Sequence, residues 1–211
     1  MDRRNNFLAH SLPVRIMHWI GATAVICMIL SGWQIYNASP LLPFIFPQWM
    51  TLGGWLGGGI AWHLSAMWVL FADGIAYLAY GFLSGHFRRD ILPPRPTIIL
   101  RDLVDALQFR LGHHLGSYNG VQRLLYMGVI IVICLAVVTG FSIWKPVQLG
   151  WLTGLFGGYP VARAIHLIMM GLIVGFLIIH LALVILFPRT LVSMLAPVRS
   201  DPDNAPHGEP R

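Results

Sequence analysis

Apolar residues are concentrated in four long runs, separated by segments that contain prolines, glycines and charged residues. The runs cover about residues 12–36, 54–83, 121–144 and 161–187. A helix needs roughly 20 mainly apolar residues to cross the hydrocarbon layer of a membrane, and each run reaches that length. Backbone polar groups in lipid must be hydrogen-bonded within the protein. The pattern therefore predicts an all-α integral membrane protein with a four-helix bundle.

The composition agrees with a membrane protein. The 211 residues are 56% hydrophobic and 10% charged, whereas soluble domains carry about 25% charged residues. This balance excludes an ordinary soluble domain and a nucleic-acid-binding protein with a basic face. No internal repeat is apparent. We expect one transmembrane domain over residues 1–188 and a polar cytoplasmic tail over residues 189–211.

Basic residues are divided unequally between the two sides of the predicted bundle. The chain has 14 Lys and Arg residues, and cytoplasmic loops of membrane proteins carry the excess of these residues. The N-terminal segment, the loop between the second and third runs, and the tail contain twelve of them, which leaves Lys145 and Arg163 for the other two loops. Both termini and the long loop are therefore predicted to be cytoplasmic, and the net charge of +6 reflects topology.

Four of the nine histidines lie within the apolar runs: His18, His63, His166 and His180. Ionisable residues inside a membrane are costly and indicate functional sites by default. The predicted topology places His18 and His180 in the cytoplasmic half and His63 and His166 in the outer half. His166 and His180 are fourteen positions apart, so they face within about 40° of each other on one helix. We therefore expect the pairs His18/His180 and His63/His166, one at each depth.

Two opposed imidazoles at one depth restrict the metal group that they can bind. Zinc usually takes four ligands, and copper or iron without a porphyrin needs further donors. A b-type haem supplies four equatorial nitrogens, so its iron needs only two axial ligands. The two pairs therefore predict two b-type haems, and the absence of a CxxCH motif argues against covalent attachment. Gly32 and Gly74 are expected to leave room beside the outer and the cytoplasmic haem.

Other charged residues near the predicted ligands have two interpretations each. Arg15 and Arg163 each precede a predicted ligand by three positions, and a guanidinium could pair with an anionic haem propionate. Anchoring at the membrane edge explains Arg15 equally well. Asp73 is the only acid well inside an apolar run. It is either a protonated packing residue or a step on a proton path.

Five segments of the sequence resemble one family. They are LPVRIMHW around His18, AWHLSAMW around His63, GHFRRDILP after the second run, YNGVQRLLY before the third run, and ARAIHLIMMG to FLIIHL in the fourth run. Together they resemble the bacterial four-helix di-haem cytochrome b subunits of hydrogenases, formate dehydrogenases and thiosulfate reductases, with the thiosulfate-reductase-like branch as the best match. The resemblance extends over nearly the whole chain up to Pro188.

The resemblance implies an electron-transfer subunit of the bacterial inner membrane that connects the quinone pool with a partner oxidoreductase. The implied partner is a periplasmic molybdopterin oxidoreductase, with or without an iron–sulfur subunit. A quinone pocket is implied at the start of the third helix, where Asn119 and Gln122 match the family pattern. Their amide groups could hydrogen-bond quinone carbonyl oxygens, although Asn119 also fits a helix N-cap.

The sequence leaves two alternatives open. It contains no dinucleotide, flavin or molybdenum-binding motif, so an electron-transfer subunit would leave the substrate chemistry to another polypeptide. A self-sufficient di-haem enzyme that oxidises superoxide and reduces quinone would need no such partner. A haem-free transporter or channel that relays protons through the histidines would be colourless.

Overall fold

The computed structural model describes residues 12–85, 120–186 and 188–195, except for the side chains of residues 120–124, 126, 189, 190, 192 and 193. The elements in chain order are α1 (Leu12–Ala38), a short 3-10 helix (Gln48–Met50), α2 (Leu56–Leu83), α3 (Gly120–Trp144), α4 (Gly150–Leu155), α5 (Tyr159–Leu186) and α6 (Pro188–Leu195). Four of these helices, α1, α2, α3 and α5, are long and apolar enough to cross a membrane. The predicted all-α fold with four spanning helices is confirmed.

The four long helices form two hairpins. The most extensive helix contacts join α1 with α2 and α3 with α5. Their interfaces are built from small residues, since Ser31, Thr139, Ser142 and Ala162 are all 0% exposed, while many large apolar side chains face outward. In lipid no hydrophobic effect drives helices together, so their association depends on close packing. Small residues let the helix backbones approach closely enough for it. The described bundle therefore has its close packing within the hairpins and its bulky apolar surface toward the lipid.

Pairs of glycines determine where the second helix of each hairpin begins. Gly53 and Gly54 precede α2 with φ of 114° and 71°, and Gly157 and Gly158 precede α5 with φ of 85° and 94°. Residues with a Cβ rarely adopt these angles, whereas glycine adopts them readily. The chain can therefore turn sharply from each connecting segment into the returning helix.

Helix α6 lies within the segment that the sequence assigns mainly to a polar tail. It begins at Pro188, and proline is favoured at the first position of a helix because its fixed φ suits the helix and its missing N–H is not needed there. Arg15 Nε donates to the Met194 carbonyl at 3.1 Å, and its Nη2 donates to the Leu195 carbonyl. Trp19 Nε1 donates to the Met194 carbonyl at 3.3 Å. The last carbonyls of α6 are thus satisfied by side chains of α1.

Some sequence predictions fall on residues outside this description. Residues 86–119, which make up most of the long loop between the second and third runs, and the end of the tail at residues 196–211 are among them. The cytoplasmic location of the termini stays a prediction, because the helices alone do not orient the bundle.

Gly53→Ala is expected to destabilise the protein. A Cβ at Gly53 would lie 2.3 Å from the Gly59 backbone nitrogen and 2.5 Å from the Gly58 carbonyl carbon, in the first turn of α2. The strained backbone alone costs about 1–3 kcal/mol, and the clash adds to it. Thermal unfolding in detergent should show a clear fall in the melting temperature. Gly54→Asn is the control, because the Cβ position of Gly54 is open and Asn tolerates a positive φ. Equal melting temperatures for the two variants would contradict the prediction.

Candidate functional site

The structure brings the four intramembrane histidines together in two pairs. The ring centres of His63 on α2 and His166 on α5 are 6.3 Å apart, with an angle of 70° between the ring planes. Those of His18 on α1 and His180 on α5 are 6.2 Å apart, with an angle of 61°. Each pair joins one hairpin to the other, and the partners are those that the helical spacing led us to expect.

The separation within each pair fits two imidazoles on opposite sides of one metal ion. Histidine nitrogens bind metals at about 2.0–2.1 Å, so two such rings have centres about 6.3 Å apart once the ring radius is added. The observed distances are 6.3 and 6.2 Å. No group of three or more His, Cys, Asp or Glu side chains forms a metal site in the described part of the chain. The pairs therefore suit a metal group that brings its other ligands with it.

The ring of His63 is fixed by helix α1. His63 Nδ1 lies 3.1 Å from the Met28 carbonyl oxygen and 3.1 Å from Ser31 Oγ. A carbonyl can only accept, so Nδ1 carries the proton and donates. The Ser31 hydroxyl donates to the Cys27 carbonyl one turn earlier, which leaves its oxygen free to accept from the ring. This tautomer leaves the lone pair of Nε2 available to a metal.

The ring of His166 is fixed in the same way by helix α3. His166 Nδ1 lies 3.0 Å from the Ala136 carbonyl oxygen and 3.1 Å from Thr139 Oγ1. The Thr139 hydroxyl donates to the Leu135 carbonyl at 2.7 Å. His166 is therefore also held with its proton on Nδ1 and its Nε2 lone pair free.

A glycine lies against each of these two rings. A Cβ at Gly32 would lie 3.4 Å from His63 Cε1, and one at Gly140 would lie 3.3 Å from His166 Cε1. The distance at Gly32 is the lower limit of ordinary contact, and the distance at Gly140 is slightly tighter, so a Cβ there would push the His166 ring by a few tenths of an ångström. The helical spacing predicts Gly32 at this depth, whereas the position of Gly140 was not predicted. At Gly74, expected near the other pair, the Cβ position is open.

The contacts of residues 28–32 and residues 136–140 form a structural repeat. In each segment a carbonyl accepts from the histidine, a hydroxyl three positions later also accepts, and the next residue is the glycine. The first segment has Met, Ser and Gly at these positions, and the second has Ala, Thr and Gly. Because two of the three residue types differ, the repeat is not apparent from the sequence.

The repeat continues in the connecting segments. Thr51 Oγ1 donates to Gln34 Oε1 at 2.6 Å, and Ser142 Oγ donates to Thr153 Oγ1 at 3.1 Å. Gln34 lies three positions after Ser31, and Ser142 lies three positions after Thr139. Both side chains are buried. Each hairpin thus ties its connecting segment to the helix that anchors the histidine.

Aromatic rings pack on the other pair. The His180 ring stacks on Phe176, one turn earlier on α5, with ring centres 5.8 Å apart and an angle of 13°. The His18 ring meets the edge of Trp19 at 5.5 Å and 74°. These contacts restrict the rotation of both imidazoles, so the pair is held by apolar surfaces as well as by the helices that carry it.

Arg15 and Arg163 both donate hydrogen bonds to other residues of the chain. Arg15 bonds to the end of α6, and Arg163 donates to Ser39 Oγ at 3.2 Å and to the Ser39 carbonyl. A guanidinium has five N–H donors, so these bonds leave others for an anion. The propionate contacts stay a prediction. Asn119 and the side chain of Gln122 lie outside the described residues.

One buried donor on α1 has no hydrogen-bond partner among the described residues. Trp33 Nε1, one position after Gly32, is enclosed without a hydrogen bond, and its indole stacks on Phe46 at 4.5 Å and 10°. An unsatisfied buried N–H costs about 1–3 kcal/mol. An acceptor on a bound group, such as a propionate, would remove that cost.

Asp73 packs against α1 close to the other pair. A Cβ at Gly21, three positions after His18, would lie 2.9 Å from Asp73 Oδ2. The carboxyl group therefore approaches the backbone of α1 one turn from a paired histidine. The two interpretations of Asp73, as a protonated packing residue and as a step on a proton path, both stay predictions.

Comparison with known proteins places this geometry in context. The family model for prokaryotic cytochrome b561 matches residues 9–197, which include both histidine pairs. A protein of Azospira oryzae, provisionally named protein-methionine-sulfoxide reductase subunit YedZ1, is 42% identical over 190 residues, which are 90% of this chain and 96% of the relative. No solved structure gives a significant match.

Gly140→Val is expected to reduce haem binding, because its Cβ alone would lie 3.3 Å from His166 Cε1 and the branched side chain would crowd the ring. Gly128→Val, on the same helix, is the control, since its Cβ position has no neighbour within 4 Å. The haem content per chain, measured by visible spectroscopy on purified protein, should fall for Gly140→Val and stay unchanged for Gly128→Val. Equal haem content in both would show that the contact with His166 is unimportant.

Proposed function

This chain belongs to the prokaryotic cytochrome b561 family, whose members are multi-pass inner-membrane proteins that bind b-type haem, and on that premise we propose that it is a membrane-anchoring di-haem cytochrome b. It transfers electrons between the quinone pool and a partner oxidoreductase. The chain supplies the membrane anchor and the haem ligands, and the partner supplies the substrate chemistry.

The observation that carries the proposal is the presence of two histidine pairs with separations that suit axial ligation. The centres are 6.2 Å apart for His18 and His180 and 6.3 Å apart for His63 and His166. A bound haem supplies a one-electron couple at its iron. The protein keeps Nε2 of His63 and of His166 unprotonated for the iron by engaging Nδ1 of each ring. Trp33 is a candidate donor to a propionate, and Arg15 and Arg163 are further candidates.

The spacing along α5 supports a path across the membrane. His166 and His180 are separated by about 21 Å of helical rise, which is most of the roughly 30 Å hydrocarbon thickness. One pair therefore belongs to each side of the bilayer. With the orientation predicted from the basic residues, the His18–His180 pair lies toward the cytoplasm and the quinone site formed by Asn119 and Gln122. The His63–His166 pair lies toward the periplasm and the partner.

The name of the Azospira relative bears on the choice of partner. That protein is named as a subunit of a protein-methionine-sulfoxide reductase, and nothing in the comparisons favours the thiosulfate-reductase-like branch. We therefore propose as partner a periplasmic oxidoreductase that reduces methionine sulfoxide in proteins. The sequence resemblance adds the proposal that this enzyme contains molybdopterin, with or without an iron–sulfur subunit.

Haem quantitation and histidine substitution test the di-haem assignment. Purified protein should contain two b-type haems per chain. His18→Ala and His180→Ala should each remove one and the same haem, and His63→Ala and His166→Ala should each remove the other. Reduced-minus-oxidised spectra with a potentiometric titration identify which haem is lost, and circular dichroism checks that the helices persist. A colourless wild-type protein would favour the transporter alternative, and a single haem would refute the pairing.

Electron transfer can be measured on the protein in liposomes. A quinol should reduce the bound haem, and Gln122→Leu should slow this reduction more than it slows reduction by dithionite, because only the quinol needs the amide group. A second measurement uses liposomes that contain this chain and no partner protein, and it tests whether the chain alone reduces quinone with electrons from superoxide. Rapid quinone reduction by superoxide with the chain alone would favour the self-sufficient enzyme over the proposed subunit.

A further inference from the structure

The two hydroxyl groups beside His63 and His166 form a matched set for which the proposed function gives no role. Ser31 and Thr139 are both fully buried, and each oxygen lies 3.1 Å from Nδ1 of a histidine on the facing helix of its hairpin. Each hydroxyl donates its own proton to a carbonyl four positions earlier. The oxygen can therefore only accept from the ring.

Each Nδ1–H thus has two acceptors rather than one. The carbonyls of Met28 and Ala136 are 3.1 and 3.0 Å from the two rings, and the hydroxyls provide the second acceptor at similar distances. Hydrogen bonding at the far nitrogen fixes the orientation of a metal-bound imidazole and makes the ligating nitrogen more basic. A more basic ligand stabilises ferric over ferrous iron, which makes the iron harder to reduce.

We infer that Ser31 and Thr139 are positioning residues that together lower the reduction potential of the haem at the His63–His166 pair. The inference rests on the proposed function, since it requires a haem at this pair. The two hairpins contribute one hydroxyl each through the same repeated segment, so each residue acts on one of the two histidines that would hold the haem. Their effects should have the same sign and should add.

Thr139 offers the sharpest test, because two substitutions separate the hydroxyl from the volume of the side chain. Thr139→Val keeps the shape and removes the hydroxyl, whereas Thr139→Ser keeps the hydroxyl and removes a methyl group. In a potentiometric titration of the purified two-haem protein, Thr139→Val should raise the midpoint potential of one haem. The largest shift that we expect is about 59 mV, which is a tenfold change in the reduction equilibrium of a one-electron couple. Thr139→Ser should stay close to the wild-type value.

Ser31→Ala should raise the potential of the same haem as Thr139→Val, and the double variant should show the sum of the two shifts. The ferric electron paramagnetic resonance signal of that haem should also change, because the ring loses a contact that fixes its orientation. The haem at the His18–His180 pair provides an internal reference in every sample, since neither hydroxyl contacts it in the described structure.

Ser142→Ala is the matched control. Ser142 is a buried hydroxyl on the same helix as Thr139, but its described hydrogen bonds join it to Thr153 and not to a histidine. It should leave both potentials unchanged. A shift as large as that of Thr139→Val would show that any lost buried hydroxyl changes the potential and would overturn the inference.

Other outcomes also decide the question. Equal shifts for Thr139→Val and Thr139→Ser, or an unchanged potential in Thr139→Val, would overturn the role of the hydroxyl. Loss of the haem from Thr139→Val but not from Thr139→Ser would support positioning by the hydroxyl, and loss from both would assign the effect to packing. Wild-type protein with no haem at the His63–His166 pair would instead refute the proposed function itself.

Discussion

A metal binds one nitrogen of a neutral imidazole, and the other nitrogen carries a hydrogen. Inside a membrane that N–H group needs a hydrogen-bond acceptor from the protein. Water is scarce there, and an unsatisfied donor is expensive. The solution at His63 and His166 is the second lone pair of a helix carbonyl, supported by a hydroxyl whose own proton is bonded within its helix. Two further features of these hairpins agree with this requirement: a glycine lies against each ring, and small side chains fill the interface, so that the helices come close.

This arrangement divides the work between the helices of a hairpin. One helix carries the histidine and its neighbour carries the acceptors, so neither helix alone defines the position of the imidazole. Close packing is concentrated within the hairpins, and the histidine pairs join one hairpin to the other. A group that binds both members of a pair would link the hairpins and add its binding free energy to the stability of the bundle.

The lengths of the apolar runs were enough to predict the spanning helices, and helical periodicity together with the predicted topology placed the four histidines in pairs. The number of residues per turn fixes the relative direction of His166 and His180, and the length of a span fixes their depth. The anchoring residues could not be predicted in this way. Ser31 and Thr139 look like ordinary small residues in a membrane helix, and only the approach of the facing helix shows that their oxygens meet a histidine. The helix at Pro188–Leu195 was missed for a similar reason, because its end is stabilised by Arg15 and Trp19 from the other end of the chain.

Helix α5 differs from the other spanning helices because it contributes a histidine to both pairs, while α1 and α2 contribute one each. A helix is stiff along its axis, so a shift or tilt of α5 moves His166 and His180 together. The two histidine pairs are therefore mechanically coupled, and a protein that docks against α5 would act on both at once. Local side chains such as Ser31 and Phe176, which each contact one histidine of a different pair, are the means by which the two pairs can be adjusted separately.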